Sequence, residues 1–297
     1  MNPSFTLSAH NHYVNSLCFS PDSSSLITTG MDRQIIHWST TDWQQLYSRI
    51  AHENSINTIH FHPDGHLYAT GSTDGDILLW SFPDGNLLHT LSEHKKTITC
   101  VRFSLDGSRL ASASYDHTIH IWDWAKQENM LTLIGHSGNV SSLAFSKNGS
   151  QLFSTALPGD LRCWSIASGG LLLSSHPAHE LSGSSLSLSP DGSLLASGGA
   201  DGKIKLWSTP DLSQRAEIDL DGRMPACIQF HPDGLRLFVS VPHGMLTINT
   251  RAGRISEDWP LKPKGVYGLD VSSNGRWLAV GAANKKVYVW DLDTINC

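Results

Sequence analysis

The histidines at 10, 52, 94, 136 and 179 stand 42, 42, 42 and 43 residues apart, and no other feature of the chain restricts its fold so tightly. Tryptophans at 38, 80, 122, 164, 207 and 290 keep the same interval, with Asn249 in the one place that lacks the indole. Counting Asn249, the steps are 42, 42, 42, 43, 42 and 41, so the sequence holds seven copies of one unit. A unit of this size cannot bury its apolar face alone, and neighbouring copies must share a core. In the first copy, Val14, Leu17 and Phe19 lie in an apolar run ending at Pro21-Asp22, and Leu26 to Thr29 leads to Met31-Asp32. Gln34 to Thr40 carries Trp38, and Gln45 to Ile50 follows before His52 restarts the cycle. Short runs rich in Val, Ile, Thr and aromatics between Pro-Asp and Asp-Gly turns predict antiparallel hairpins, four strands to a copy. No 3.6-residue apolar stripe runs between the turns, which excludes a helical repeat.

The third strand of each copy is the most regular. Three residues before each tryptophan (or Asn249) stand Ile35, Ile77, Ile119, Leu161, Ile204, Leu246 and Val287; one residue before stand His37, Leu79, Ile121, Cys163, Leu206, Ile248 and Val289. Residues two apart share a strand face, so this face is apolar everywhere except at His37. The seventh copy ends with the strand from Val287 to Leu292 and has no fourth strand, while Ser4 to Ser8 is an unassigned strand ahead of the first histidine.

Seven copies of four strands, with a terminal Trp-Asp at Trp122-Asp123 and Trp290-Asp291, resemble the WD-repeat family along essentially all 297 residues. The resemblance implies an all-β, seven-bladed β-propeller in one domain over 1–297, with repeats ending near 40, 82, 124, 166, 209, 251 and 292. It also implies that the N-terminal strand completes the last blade, which removes a sheet edge open to aggregation. Four repeats carry the family's buried tetrad: His10, Thr28, Asp32 and Trp38; His52, Thr70, Asp74 and Trp80; His94, Ser112, Asp116 and Trp122; and His179, Ser197, Asp201 and Trp207. An indole N–H only donates and needs the hydroxyl, while a histidine links hydroxyl to carboxylate. Ser112, His94 and Asp116 also have the residue types of a catalytic triad, but a triad is one assembled site, and this set recurs at fixed spacing as structural chemistry. Blade 4 has Pro158 in the aspartate's place; blade 6 has Asp221, Val239, His243 and Asn249; blade 7 keeps only Trp290, beside Val280 and Asn284.

A net charge of −6 and a pI near 6.2 give no electrostatic reason to expect nucleic acid or an anionic membrane. No apolar run reaches bilayer length, and Met1 to Leu7 lacks the basic and apolar regions of a signal peptide. The five cysteines form no C-x-x-C, which fits reduced thiols in a cytoplasmic protein. His60 and His62 share a strand face, but no third ligand follows at a metal-site spacing. No phosphate loop, nucleophile elbow or cofactor motif is present. The inner strands read as apolar or as carrying only Ser, Thr and Asn, which speaks against a catalytic central channel. These readings predict a non-enzymatic protein–protein interaction scaffold, monomeric on its own, that binds a protein or peptide and needs no metal or cofactor. The alternative is a regulatory or sensor subunit of a larger complex whose catalytic activity lies in another chain.

The family resemblance implies that the partner-facing top surface lies three and five residues after each histidine and just before each turn aspartate. None of the twenty-one residues so located is charged, although 16% of the chain is. The larger ones are Tyr13, Met31, Tyr115, Leu157, Met224 and Tyr267. Charges stand farther out at Glu53, Lys95, Lys96, Glu180, Arg223 and Lys264. A neutral centre with a charged rim has the composition of a protein-binding patch. Tyr13, Met31, Met224 and Tyr267 belong to blades 1, 6 and 7 and are expected to cluster over the closure. Trp43 and Trp124 lie in turns that the family places on the bottom, where they either anchor a partner as partly exposed aromatics or pack half-buried within the loops.

Overall fold

A computed structural model describes residues 2–262 and 265–295, and builds them into seven four-stranded antiparallel sheets arranged as a propeller. In blade 1 the strands are Val14–Phe19, Ser25–Gly30, Gln34–Ser39 and Gln45–Ile50, each paired to its chain neighbour. Blades 2 to 6 repeat this order, with inner strands Ile56–Phe61, Ile98–Phe103, Val140–Phe145, Gly183–Leu188 and Cys227–Phe230. The outermost strand of each blade is the most exposed: Gln45–Ile50 has no buried residue, whereas Ser25–Gly30 is buried throughout.

Closure occurs as the leftover segment predicts. Phe5–Ser8 pairs antiparallel with Lys286–Asp291, with Leu7 opposite Val287, and becomes the fourth strand of blade 7. Phe5 packs on Trp43 and Trp277, Leu7 is buried in the same cluster, and the Ser4 N–H donates to Val289 O at 2.7 Å. The ring therefore joins its two ends through one sheet.

In the third strand of blade 1 both faces are buried, since Ile36 and Trp38 are as enclosed as Ile35 and His37. Each blade stacks flat on its neighbours, so neither face meets water. His37, the one polar residue in the apolar row, is accommodated by Ser25 Oγ, 2.9 Å from its Nε2, and by the rings of Tyr47 and Phe82. Burial pushes its imidazole down to about 4, so it is neutral. Among the described residues, no helix is long and apolar enough to cross a membrane.

Candidate functional site

In four blades the tetrad residues meet as one hydrogen-bonded chain. In blade 3, Trp122 Nε1 donates to Ser112 Oγ at 2.9 Å, His94 Nε2 lies 2.8 Å from the same oxygen, and His94 Nδ1 lies 2.8 Å from Asp116 Oδ2. Blades 1, 2 and 5 reproduce this through Trp38–Thr28–His10–Asp32, Trp80–Thr70–His52–Asp74 and Trp207–Ser197–His179–Asp201. A neutral imidazole satisfies every member: Nδ1–H donates to the carboxylate and Nε2 accepts the hydroxyl proton. Each carboxylate also takes the backbone N–H that follows the histidine, from Asn11, Glu53, Lys95 and Glu180. Burial alone would raise the Asp74 carboxyl, but hydrogen bonds from His52 and the Asp76 N–H hold it down at about 2. The network ties the histidine loop to the second and third strands and presents nothing to a substrate: the four hydroxyls are fully buried.

Blade 4 departs from this in a way the sequence hid. With Pro158 in the aspartate's place, the carboxylate comes from Asp160, two residues later and 4% exposed. His176 Nδ1 and Arg162 Nη2 hold it, and His136 Nδ1, at 3.7 Å, is left without a hydrogen bond. Burial, helped by the Arg162 charge, pushes His136 down to about 4. Asp160 opens the third strand two residues past the vacant place, and an aspartate there in this repeat is the signal that could have found it.

On the top face, all six of Tyr13, Met31, Tyr115, Leu157, Met224 and Tyr267 are exposed. Tyr13 and Tyr267 meet across the seam with ring centroids 5.8 Å apart, and the Met31 N–H donates to Tyr13 O at 2.9 Å. Met224 stands on blade 6, one blade from the Tyr267 side of the seam, while Tyr115 and Leu157 stand on blades 3 and 4, across the ring from it. Leu181, 59% exposed, belongs to the same surface and was missed. Its signal was legible: two residues after the histidine it replaces the His12, Asn54, Lys96 and Gly138 of other blades. The smaller top positions serve the ring itself. Asn15, Asn57 and Thr99 donate to Ile56 O, Ile98 O and Val140 O, each on the next blade's inner strand, at 3.0, 3.0 and 2.6 Å. Lys264, expected among the outer charges, lies outside the described residues.

Of the two readings of the bottom tryptophans, packing is the one realised: Trp43 is 6% exposed and wedged between Phe5 and Trp277 of blade 7, while Trp124, half-buried, donates to Gly107 O at 2.8 Å and packs on Phe103 and on His62 of blade 2. One expectation is corrected. The inner strands carry more than small polar residues. His60, Arg102, Gln229 and Asp270 line a central lumen of about 670 Å³, together with Cys18, Cys100 and Cys227. His60 and His62 are spent separately: His60 Nδ1 accepts the Phe103 N–H, and His62 Nε2–H donates to Gly107 O. The outer strands of blades 1 to 4 also expose Leu46, Ile50, Leu88, Met130, Ile134 and Leu172, whereas the equivalent strand of blade 5 reads Gln-Arg-Ala-Glu-Ile-Asp.

Comparison with known families agrees with this geometry. Residues 14–182, over half of the chain, match the model described as Echinoderm microtubule-associated protein second beta-propeller. Residues 170–208 and 261–291 match the WD domain, G-beta repeat. A search of curated proteins finds none that matches the chain. The chain belongs to the WD-repeat seven-bladed β-propellers, in the family described as Echinoderm microtubule-associated protein second beta-propeller.

Proposed function

We propose that the protein is a non-enzymatic interaction scaffold that binds a protein or peptide on its top face, centred on the seam between blades 7 and 1. WD-repeat propellers are commonly interaction scaffolds and are generally non-catalytic. The observation that carries the reading is the exposed Tyr13–Tyr267 pair, flanked by Met31, in a surface ring without a charged residue. Tyr and Met supply large contact areas, and charge depletion marks the centre of a recognition patch. A phosphopeptide or basic tail would require fixed opposite charges at these positions. The top face thus suits a partner whose anchor is aromatic or aliphatic. The rim of blades 1 to 4 is the competing surface, because it exposes apolar side chains such as Leu88 and Ile134.

Affinity capture on the purified chain, followed by mass spectrometry, identifies the partner; co-sedimentation with microtubules tests the one suggested by the family's description. Against the captured partner, Tyr13→Ala and Tyr267→Ala are each expected to weaken binding by more than about 1 kcal/mol. Ile134→Glu, on the rim, should leave it unchanged. Loss of binding in Ile134→Glu with retention in both tyrosine variants would move the site to the rim.

A further inference from the structure

The lumen holds a second feature that scaffolding does not need. Cys18, His60, Arg102, Ala144, Ser187, Gln229 and Asp270 recur at the repeat interval, each on an inner strand opposite Ile27, Ala69, Ala111, Phe153, Ala196, Phe238 and Ala279 respectively. They form one ring at one level of the lumen, a single residue from each blade, and all line it. Building the propeller requires no charge here, because Ala144 and Ser187 fill the same place in blades 4 and 5. Yet Arg102 in blade 3 and Asp270 in blade 7 are ionisable groups inside the disc. The only other charged residue in the lining, Lys147, sits near a mouth with its Nζ bonded to Pro190 O.

The two charges do not neutralise each other by contact. Blades 3 and 7 are three steps apart in a ring of seven, so the side chains project from opposing walls, and no ion pair joins them among the described residues. Their other bonds leave part of each group facing the lumen. Arg102 Nη1 donates to Val101 O at 2.8 Å, which uses one of its five N–H donors. Asp270 Oδ2 accepts the Phe19 N–H at 2.8 Å, and the Val271 N–H and the Cys18 thiol also bond the carboxylate; a carboxylate offers about four acceptor sites, so part of it still faces the lumen. His60, next to Arg102 in the ring, accepts the Phe103 N–H on Nδ1 at 3.2 Å; its proton is therefore on Nε2. Gln229, next to Asp270, adds a carboxamide oxygen to the acceptor side. One wall of the lumen is thus a donor wall, His60 with Arg102, and the facing wall is an acceptor wall, Gln229 with Asp270.

The geometry points to a binding site in the lumen for a small zwitterion, a molecule with a carboxylate at one end and a protonated amine at the other. The carboxylate would take the guanidinium and the imidazole N–H, and the amine would donate to the Asp270 carboxylate and the Gln229 oxygen. Separated opposite charges in an enclosed polar space are costly unless something bridges them, and a ligand of complementary polarity does so without changing the net charge. Burial pushes the Asp270 carboxyl up to about 6, against the opposing pull of the Phe19 and Val271 N–H groups and of the Arg102 charge across the lumen. Tyr267, Asn15 and Asn57 also border the lumen, but Tyr13 and the other large top-face residues do not, and Arg102 and Asp270 take no part in the top face.

The experiment is a chain-length series of ω-amino acids, glycine to 6-aminohexanoate, titrated into the full chain by calorimetry and saturation-transfer NMR. Acetate and methylammonium serve as one-ended controls. One length is expected to bind at least tenfold more tightly than either control. Arg102→Met should weaken it at least tenfold. Asp270→Asn, which keeps an oxygen for the Phe19 N–H, should weaken the amino acid but not acetate. Tyr13→Ala should leave it unaltered, so failure of this site and of the top-face reading can be told apart. A series no tighter than its controls overturns the site, and so does full affinity in Arg102→Met. If a variant fails to fold, the wild-type series alone decides.

Discussion

Blades 1, 2, 3 and 5 and blades 6 and 7 solve the same problem with different chemistry. In the first group a buried Trp–hydroxyl–His–Asp chain anchors the histidine loop to the sheet. In the second group no such chain exists, and the space between the two blades is filled by rings. Trp259, 2% exposed, packs edge-on against Trp290 at 5.9 Å and Phe238 at 6.1 Å, beside Met245, Leu269, Leu278 and Val280. Trp259 Nε1 finds Glu257 Oε2 at 2.9 Å, but Trp290 Nε1 is buried without a hydrogen bond among the described residues. Polar networks give a repeat unit directional constraint, whereas aromatic packing gives area without direction. The unconstrained blades flank the closure, where the Tyr13–Tyr267 pair is exposed.

The largest effect should come from removing the strand that joins the two groups. Deletion of residues 1–8 strips Leu7 and Phe5 from the seam and the Phe5–Ser8 ladder from blade 7. Lost apolar burial and hydrogen bonds together predict roughly 3–6 kcal/mol of destabilisation. The exposed edge of Lys286–Asp291 should also aggregate. Thermal melting and light scattering check both; an unchanged melting temperature would mean that closure does not depend on this strand.

Next comes the aromatic seam. Trp259→Ala removes the ring that links Phe238 to Trp290 and should cost about 3–5 kcal/mol, the range for a large buried aromatic. Chemical denaturation measures it. A cost under about 1 kcal/mol would show that blades 6 and 7 are held by something other than this cluster.

The polar blades should respond less to any single change. Asp116→Ala leaves His94 Nδ1 and the Lys95 and Thr118 N–H groups without their acceptor, a loss of about 1–3 kcal/mol. In blade 6, which has no tetrad, Asp221 stands in the histidine's place as an exposed side chain at φ 56, a conformation asparagine tolerates. Asp221→Asn should therefore change stability by less than about 0.5 kcal/mol. The same network predicts acid sensitivity. The Asp74 carboxyl is depressed to about 2 in the fold and has its ordinary value near 3.9 when unfolded. Its contribution is complete above pH ~4 and is lost as pH falls through about 2. Asp74→Asn should flatten stability across that window while leaving the slope above pH 5 unaltered.

Much of this contrast was visible in the residues. A fixed interval of about 42 located every blade, because each copy must present the same faces to its neighbours. The missing fourth strand and the spare N-terminal segment specified closure. The four tetrads could be read since each residue type has a fixed donor or acceptor role. What the repeat could not show was substitution off register. Asp160 supplies a carboxylate two positions late, and Trp259 supplies an indole on a different strand from the one that lost it at Asn249. The lumen was misread for a related reason. Arg102 and Asp270 look like ordinary alternating polar residues in a strand, and only closing the ring places them inside it. Trp43 and Trp124 were ambiguous because a turn aromatic is exposed or sealed according to loops from other blades.

The smallest change asks whether the absence of a tetrad costs blade 7 anything. Val280 occupies the place that Thr28, Thr70 and Ser112 fill elsewhere, as the paired register shows: Leu278 stands opposite Trp290 as Leu110 stands opposite Trp122. Trp290 Nε1 is therefore aimed where a hydroxyl would be. Threonine matches valine in shape, and blades 1 and 2 already use its Oγ1 as the indole acceptor, at 3.0 and 2.9 Å. Val280→Thr thus adds an acceptor to a stranded donor, worth about 1 kcal/mol. Against this stands the burial of a hydroxyl whose own proton has no histidine to receive it, a cost of similar size. The indole bond should prevail narrowly, because the Thr proton can turn to a strand carbonyl. A gain of about 0.5 kcal/mol in denaturation, with a shifted Trp290 indole resonance, is the expected result. A loss above about 1 kcal/mol would mean that the hydroxyl is useful only with its histidine, and that the tetrad works as one unit or not at all.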